Sequence, residues 1–263
     1  MSLKQIQLYQ TGNNMKKNQH GFSLIEMLVV IAIIGVIAGI TSDIFINIIK
    51  ASNKGNVLTE VKQNGDAASN KMERILRNAE EITAIGYKRY TETFWTYIDN
   101  TNFATEETCP DGLADECAII VKNPSSVGGY TKIQFNTGPD KECNSSPFTS
   151  ADQDTTTEAG KTLCNGNIRI VSDSGSTPVD TLKNSANDIN SATIGQLITN
   201  TELRSGVNLR KTGTTPLVTV KSSSGKPPLI LIRFSLEQGI NASSRSDSLA
   251  TVPFELTISL RSY

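Results

Sequence analysis

The sequence predicts an α+β protein in which one long N-terminal α-helix precedes a head rich in antiparallel β-strands. An apolar run from Phe22 to Ile40 leads into a segment whose apolar residues keep helical spacing. Later segments alternate apolar and polar residues and are bounded by Gly, Pro, Asn and Ser. We therefore expect a basic N-terminal segment at 1–21, an apolar helix at 22–41, its amphipathic continuation at 42–82 and an exported β-rich head at 83–263.

The apolar run is long enough to cross a membrane, because a bilayer-spanning helix needs about 20 apolar residues. Lys4, Lys16 and Lys17 precede the run, and no acid does. This distribution places the N-terminus in the cytoplasm and the rest of the chain across the membrane. A secretory signal would have a shorter apolar core and a small-residue cleavage site. We expect a single-pass membrane protein with a cytoplasmic N-terminus and an exported head, with a simple signal anchor as the alternative.

Glu26 is an acid near the start of this otherwise unbroken apolar run. A lone acid at the centre of a membrane helix costs about 3 kcal/mol, and less near an end. Once helices pack together away from water, a carboxylate needs a partner of opposite charge. We therefore expect Glu26 to be paired wherever such helices pack together, the alternative being a solvated or snorkelling carboxylate.

The string "GFSLIEMLVVIAIIGVIAGI", which begins at Gly21, resembles the N-terminus of the type IV pilin superfamily. This superfamily includes pilins, the pseudopilins of type II secretion and competence pilins. The resemblance rests on a basic leader, a glycine, an aromatic residue, a glutamate at a fixed offset and an apolar run, and it covers only the leader and the first helix. It implies a pilin-like fold, in which the second half of the long helix packs on the β-rich head.

The resemblance also implies how the chain is processed. In this family a membrane-embedded aspartyl peptidase cuts after the glycine and methylates the new amine. Carried over, residues 1–21 are a leader that is removed between Gly21 and Phe22, and Phe22 is N-methylated. Glu26 is then implied to pair with the amine of Phe22 on a neighbouring subunit. The leader is long for this family, and "MKKNQHG" opens a short one, so Met1 and Met15 are both candidate starts.

The predicted head contains seven candidate strands, which alternate with polar and turn-forming segments. The strands are "TFWTYI" from Thr93, "CAIIVK" from Cys117, "YTKIQFN" from Tyr130, "NIRIVSD" from Asn167, "LVTVKS" from Leu217, "LILIRFSLE" from Leu229 and "PFELTISLRSY" from Pro253. The polar stretch from Asn136 to Ala192 predicts long surface loops, "ATIGQLI" around Ile194 a short helix, and "LRKTG" at Leu209 a basic turn. Within the long helix, Gly55 and Gly65 weaken the helical pattern.

Four cysteines, Cys109, Cys117, Cys143 and Cys164, fall in the predicted head. Their number is even and the compartment is oxidising, so two disulfides are expected. Of the three connectivities, we favour Cys109–Cys117 and Cys143–Cys164, each closing a local loop in a segment short of core residues. A four-cysteine zinc site is the alternative, but the sequence contains no CxxC spacing.

Other residue patterns do not indicate a catalytic, metal or cofactor site. The single histidine, His20, lies in the leader, so the processed chain has no Ser-His or Cys-His pair. Asp152, Asp154 and Glu158 have a calcium-like spacing but lack the glycine and length of an EF-hand loop, so a solvated acidic turn is expected. We therefore predict no enzyme, no cofactor and no metal, with a signal-anchored enzyme as the competing hypothesis.

The resemblance to pilins implies a structural subunit of the bacterial inner membrane that later enters a pilus or pseudopilus. Its implied partners are a prepilin peptidase/methyltransferase, other pilin or pseudopilin subunits and the inner membrane. With 263 residues, the chain is larger than we expect of a major pilin. It is therefore predicted to be a minor component of a type IV pilus or a type II secretion pseudopilus. The formal net charge of −1 gives no overall argument for a nucleic-acid partner, and a local basic patch is the open alternative. The alternative function is an adhesive or DNA-uptake minor pilin whose head binds a ligand.

Overall fold

The computed structural model describes residues 22–88, 95–103, 105–109, 116–137, 153–158, 161–173, 179–184, 196–199, 206–210, 215–239 and 250–260, with no side-chain account for 102, 153–158, 161–164, 180, 181 and 184. The elements in chain order are α1 (Leu24–Asn78), β1 (Glu81–Lys88), β2 (Thr96–Asp99), a 3₁₀ turn (Asn100–Asn102), β3 (Glu106–Thr108), β4 (Glu116–Lys122), β5 (Tyr130–Asn136), β6 (Gln153–Glu158), β7 (Lys161–Cys164), β8 (Asn167–Ser172), α2 (Val179–Asn184), β9 (Gln196–Leu197), β10 (Val207–Arg210), β11 (Val218–Ser223), β12 (Lys226–Gln238) and β13 (Thr251–Ser259).

The chain divides into two compact units, Met1–Ile49 and Lys50–Tyr263. In the first unit, the described residues are the start of α1, and all of their side chains are exposed. The second unit contains the rest of α1 and all the strands. Its part of α1 buries Val61, Gly65, Ala68, Met72 and Leu76. These residues recur every three or four positions, so they form one stripe along the helix that packs into the core.

Two antiparallel sheets form the head. The first, called the six-stranded sheet, has the order β2-β1-β4-β5-β8-β9. The second, called the five-stranded sheet, has the order β10-β12-β11-β3, with β13 on the other side of β12. The two strands β6 and β7 pair with each other. Each described pairing is antiparallel, as the alternation of apolar and polar residues predicts.

One hydrophobic core contains the stripe of α1 and apolar residues from both sheets. Phe135 of the six-stranded sheet and Phe234 of the five-stranded sheet lie with their ring centroids 6.5 Å apart. Phe234 in turn stacks on Phe254 of β13, at 5.2 Å. The core therefore lies where helix and sheets meet, which confirms the predicted pilin-like α+β fold.

Four predicted strands begin at or within one residue of the observed ones, namely β4, β5, β8 and β11. The predicted strands at Leu229 and Pro253 begin two to three residues earlier in the structure, as β12 and β13. The strand predicted from Thr93 is observed as β2, and residues 93 and 94 lie outside the described residues.

Several other predictions were wrong. The helix ends at Asn78, and Glu81 already begins β1, so the predicted continuation to residue 82 is too long. Of the basic turn predicted at Leu209, Leu209 and Arg210 belong to strand β10, because Leu209 is buried in the core and Arg210 forms an ion pair with Glu237. Residues 211–213 lie outside the described residues. The stretch predicted as loops contains β6, β7 and α2.

Two shorter segments also differ from their predictions. Within "ATIGQLI", Gln196 and Leu197 form strand β9, and residues 192–195 lie outside the described residues. The acidic turn predicted around Asp154 and Glu158 is strand β6 in the structure, and Asp152 lies outside the described residues. In both segments, pairing with another strand determines the conformation. A local sequence pattern does not show which strand will be the partner.

Candidate functional site

The N-terminus of α1 is closed by a reciprocal pair of hydrogen bonds between Ser23 and Glu26. The Ser23 carbonyl accepts the Met27 N–H at 3.2 Å, so Ser23 is the N-cap residue. Its hydroxyl accepts the Glu26 N–H at 3.3 Å, and its own N–H donates to Glu26 Oε2 at 3.0 Å. This arrangement is a capping box, in which two backbone donors with no intrahelical partner are both satisfied.

The cap determines where the carboxylate lies. Glu26 is in the first turn of α1, and its Oε2 also accepts the Ser23 hydroxyl at 3.2 Å. The positive end of the helix dipole favours a negative charge at this position. The carboxylate is therefore held beside residue 22. Sequence reasoning identified Glu26 but missed Ser23, although the Ser-x-x-Glu spacing before an apolar run is the signal for such a cap.

Phe22 and the apolar residues that follow it have no covering within the protein. Phe22 is 79% exposed, and large apolar side chains remain exposed as far as Ile49. Isolated apolar residues on a surface are normal, but a continuous apolar patch of this kind marks a membrane or protein contact. Gly21, the other residue of the expected cleavage site, lies outside the described residues.

The polar groups at the far end of the apolar run are satisfied within the helix. The Thr41 hydroxyl donates to the Ile37 carbonyl at 2.9 Å, and the Ser42 hydroxyl donates to the Ala38 carbonyl at 2.8 Å. In a bilayer an unsatisfied polar group costs several kcal/mol, and these bonds remove that cost. Among the described residues, α1 is the one helix that is long and apolar enough to span a membrane.

The expected disulfide Cys109–Cys117 is present, with its Cα atoms 6.1 Å apart. Both cysteines are fully buried in the main core, although we expected a segment short of core residues. Cys109 follows β3 of the five-stranded sheet, and Cys117 lies in β4 of the six-stranded sheet. The bond therefore links the two sheets. The expected pair Cys143–Cys164 falls outside the residues whose side chains are described.

A cleft of about 840 Å³ opens where the two sheets meet, between the start of β1, the end of β4 and the β11–β12 turn. Its size falls within the range of small-molecule sites, about 300–1,000 Å³. Its charged lining consists of Glu80, Glu81, Lys122 and Lys226. Lys122 forms an ion pair with Glu80 at 3.1 Å. Since the charges balance, the cleft does not favour a polyanion such as DNA.

Within the described part of the chain, no group of three or more His, Cys, Asp or Glu could hold a metal.

Residues 16–42 match the protein-family model described as the prokaryotic N-terminal methylation motif. This motif marks the type IV pilin and pseudopilin superfamily, whose members are structural proteins and not enzymes. It implies processing by a prepilin peptidase, assembly with pilins and, together with the apolar helix, anchoring in the inner membrane before assembly. No curated protein and no solved structure matches the chain.

Proposed function

We propose that this protein is a prepilin-like structural subunit that is cleaved after Gly21, N-methylated at Phe22 and assembled as a minor component of a type IV pilus or a type II secretion pseudopilus. The observation that carries the proposal is the position of Glu26. Its carboxylate is held at the N-terminus of an uncovered apolar helix, four residues after Phe22. The match to the methylation motif at 16–42 supports the proposal, because it covers the same short segment.

Processing converts the N-terminus of the helix into a charged group. Hydrolysis of the Gly21–Phe22 peptide bond gives the carboxyl group to Gly21 and leaves an ammonium group on Phe22. Gly21 has no Cβ, which leaves room for a peptidase at the backbone. Methylation of the amine keeps its positive charge. Each mature subunit thus carries one positive and one negative group at the same end of α1.

Assembly then brings these opposite charges together between subunits. When apolar helices pack side by side, the carboxylate of Glu26 leaves the interface with water and needs a partner. The ammonium of Phe22 on the adjacent subunit is the partner that we propose. The carboxylate lies on one turn of α1, so the pair forms at one axial offset between neighbouring helices, and the offset sets the register of the filament.

The topology follows from the leader and the head. Lys4, Lys16 and Lys17 keep the N-terminus in the cytoplasm, and the chain after the apolar run is exported. The disulfide Cys109–Cys117 supports export of the head, because disulfides persist in oxidising compartments. The minor role rests on the size of the chain, as we expect a major subunit to have a smaller head.

Mass spectrometry of the protein extracted from membranes tests the processing step. In cells that contain the peptidase, we expect a chain that begins at Phe22 and carries one added methyl group, whether translation starts at Met1 or at Met15. In matched cells without the peptidase, we expect the intact leader. An intact leader in the peptidase-containing cells would contradict the proposal.

A further inference from the structure

Lys132 lies buried on the face of the six-stranded sheet that is opposite the main core. Side chains alternate between the two faces of a strand, so Lys132 points away from its neighbour Ile133, which belongs to the main core. Its register partner on β4 is Ile120, which belongs to a second, smaller hydrophobic cluster on the opposite face. The side chain of Lys132 is 1% exposed, and its Nζ has no hydrogen-bond partner.

Two aromatic rings close over this amine. Lys132 Nζ lies 4.4 Å from the centroid of the Trp95 ring and 5.6 Å from that of Tyr97. The two rings stack on each other with their centroids 5.8 Å apart. The Tyr97 ring can lie against the sheet because residue 86 is glycine. A Cβ at that position would be 2.3 Å from Tyr97 Cε1. We call Lys132, Trp95 and Tyr97 the amine box.

The aromatic side of the amine box belongs to an edge element, which is held by its pairing with β1 and by an ion pair between Asp99 of β2 and Lys183 of α2. Trp95 immediately precedes β2, and Tyr97 is its second residue. Strand β2 has four residues, lies at the edge of the sheet and is paired there with β1. The Trp95 Nε1 and the Tyr97 hydroxyl are also buried without a hydrogen-bond partner. Water that entered the box would therefore hydrate three polar atoms at once.

The charged groups that act on the amine lie on neighbouring strands. Burial lowers the pKa of Lys132 to about 7, Glu116 on β4 opposes this shift, and Lys88 on β1 adds to it. Tyr97 stays neutral, because burial and the charge of Glu116 raise the pKa of its hydroxyl. On β8 the register partner of Lys132 is Val171, which carries no charge. Helix α2 packs on the same face, and its Lys183 forms an ion pair with Asp99 of β2.

We propose that the amine box is a pH-responsive contact that holds strand β2 on the sheet while the amine is neutral and loosens β2 when the amine is protonated. The ring faces attract an ammonium, which favours retention of the charged form. Loss of hydration on burial outweighs the attraction of the rings and of the Glu116 charge, because the buried Nζ has no hydrogen-bond partner. Hydration of the ammonium requires β2 to move away. In an exported head, β2 then responds to the pH outside the cell.

Trp95 is the only tryptophan of the chain, so its fluorescence reports on the box directly. For the full-length protein in detergent, we expect the emission wavelength to shift to the red as the pH falls from 9 to 6, with a midpoint near neutral pH. In K132M the shift should disappear. In K88M it should remain, with its midpoint moved to higher pH. A wild-type emission that does not change over this range, or an equal shift in K132M, would overturn the proposal.

Hydrogen exchange of the wild-type protein gives a test that does not depend on folding of the variants. After correction for the intrinsic pH dependence of exchange, the amides of β2 should be less protected at pH 6 than at pH 8.5. The amides of β5, at the centre of the sheet, should keep their protection. Equal protection of β2 at the two pH values would overturn the proposal as well.

Discussion

Glu26 illustrates how one residue serves the isolated subunit and the assembled one. In the isolated chain its carboxylate completes the cap with Ser23, a contribution of about 1 kcal/mol. In the proposed assembly the same carboxylate meets the Phe22 ammonium of a neighbour. The capping role is local, and a neutral side chain such as glutamine can also fill it. The second role requires the negative charge.

The lowered pKa of Lys132 predicts how the free energy of unfolding depends on pH. In the unfolded chain its amine titrates near the ordinary value of 10.5, and in the fold burial lowers the pKa to about 7. Between these values the unfolded state binds more protons, so the free energy of unfolding rises as the pH rises from about 7 towards 10.5. Below about 7 both states are protonated, and the stability cost of protonating Lys132 in the fold, whether from burial of the ammonium or from release of β2, no longer changes with pH. K132M removes this cost, and we expect it to be more stable than the wild type by a few kcal/mol at pH 7, at about 1.4 kcal/mol per pKa unit.

Urea unfolding of both proteins at pH 7, 8 and 9 measures this effect. The stability difference between K132M and wild type should shrink as the pH rises, because the wild type recovers stability while its amine loses the proton. Other titrating groups act equally in both proteins and cancel from the difference. A difference that stays constant with pH would contradict the assignment of the lowered pKa to Lys132.

At the scale of elements, the second half of α1 docks on β13 through a glycine. A Cβ on Gly65 would lie 1.9 Å from Phe254 Cζ, and the Phe254 ring is itself stacked on Phe234. Gly65→Ala therefore has to displace a packed ring. The overpacking costs about 1–3 kcal/mol, and the gain in helix propensity returns about 1 kcal/mol. We expect a net loss of up to about 2 kcal/mol in the free energy of unfolding, measured by urea titration of the full-length chain.

Gly55 is the matched control on the same helix, since a Cβ there would meet no atom within 4 Å. Gly55→Ala should raise stability by up to about 1 kcal/mol. The double variant Gly65→Ala/Phe254→Leu should recover part of the loss, because the smaller side chain makes room. If Gly65→Ala were as stable as Gly55→Ala, the close contact between α1 and β13 would be refuted.

The elements also show what the sequence can and cannot predict. Strands such as β5, with alternating residues and clear turn boundaries, were predicted to the residue. Strand β1 was missed at the end of the helix, because the apolar residues that follow Asn78 also fit the helical spacing. Gly65 was interpreted as a weak point of the helix, whereas it is a contact point. A partner that is about 190 residues away in sequence does not appear in a local pattern.

On the scale of the whole molecule, the disulfide and the core explain how a head with long polar segments holds together. Cys109–Cys117 links the two sheets inside the core that also receives the stripe of α1. The sequence predicted this pair from proximity in the chain and the expected compartment. It could not predict the link between sheets, because the assignment of β3 and β4 to different sheets is a property of the topology. The amine box was missed for the same reason, since β1 and β4 separate its strands.

The central claim is that the charge of Glu26 directs assembly, and the most direct measurement is incorporation of Glu26→Gln into filaments beside Ser23→Ala. Glutamine keeps the capping position but removes the charge, whereas Ser23→Ala weakens the cap and keeps the charge. We expect both variants to insert into the membrane. The amount of Glu26→Gln found in filaments should be at least about tenfold below that of the wild type, because the neighbouring ammonium is left buried without a partner. Ser23→Ala should incorporate almost normally. Wild-type incorporation of Glu26→Gln, or an equal loss in Ser23→Ala, would contradict the account.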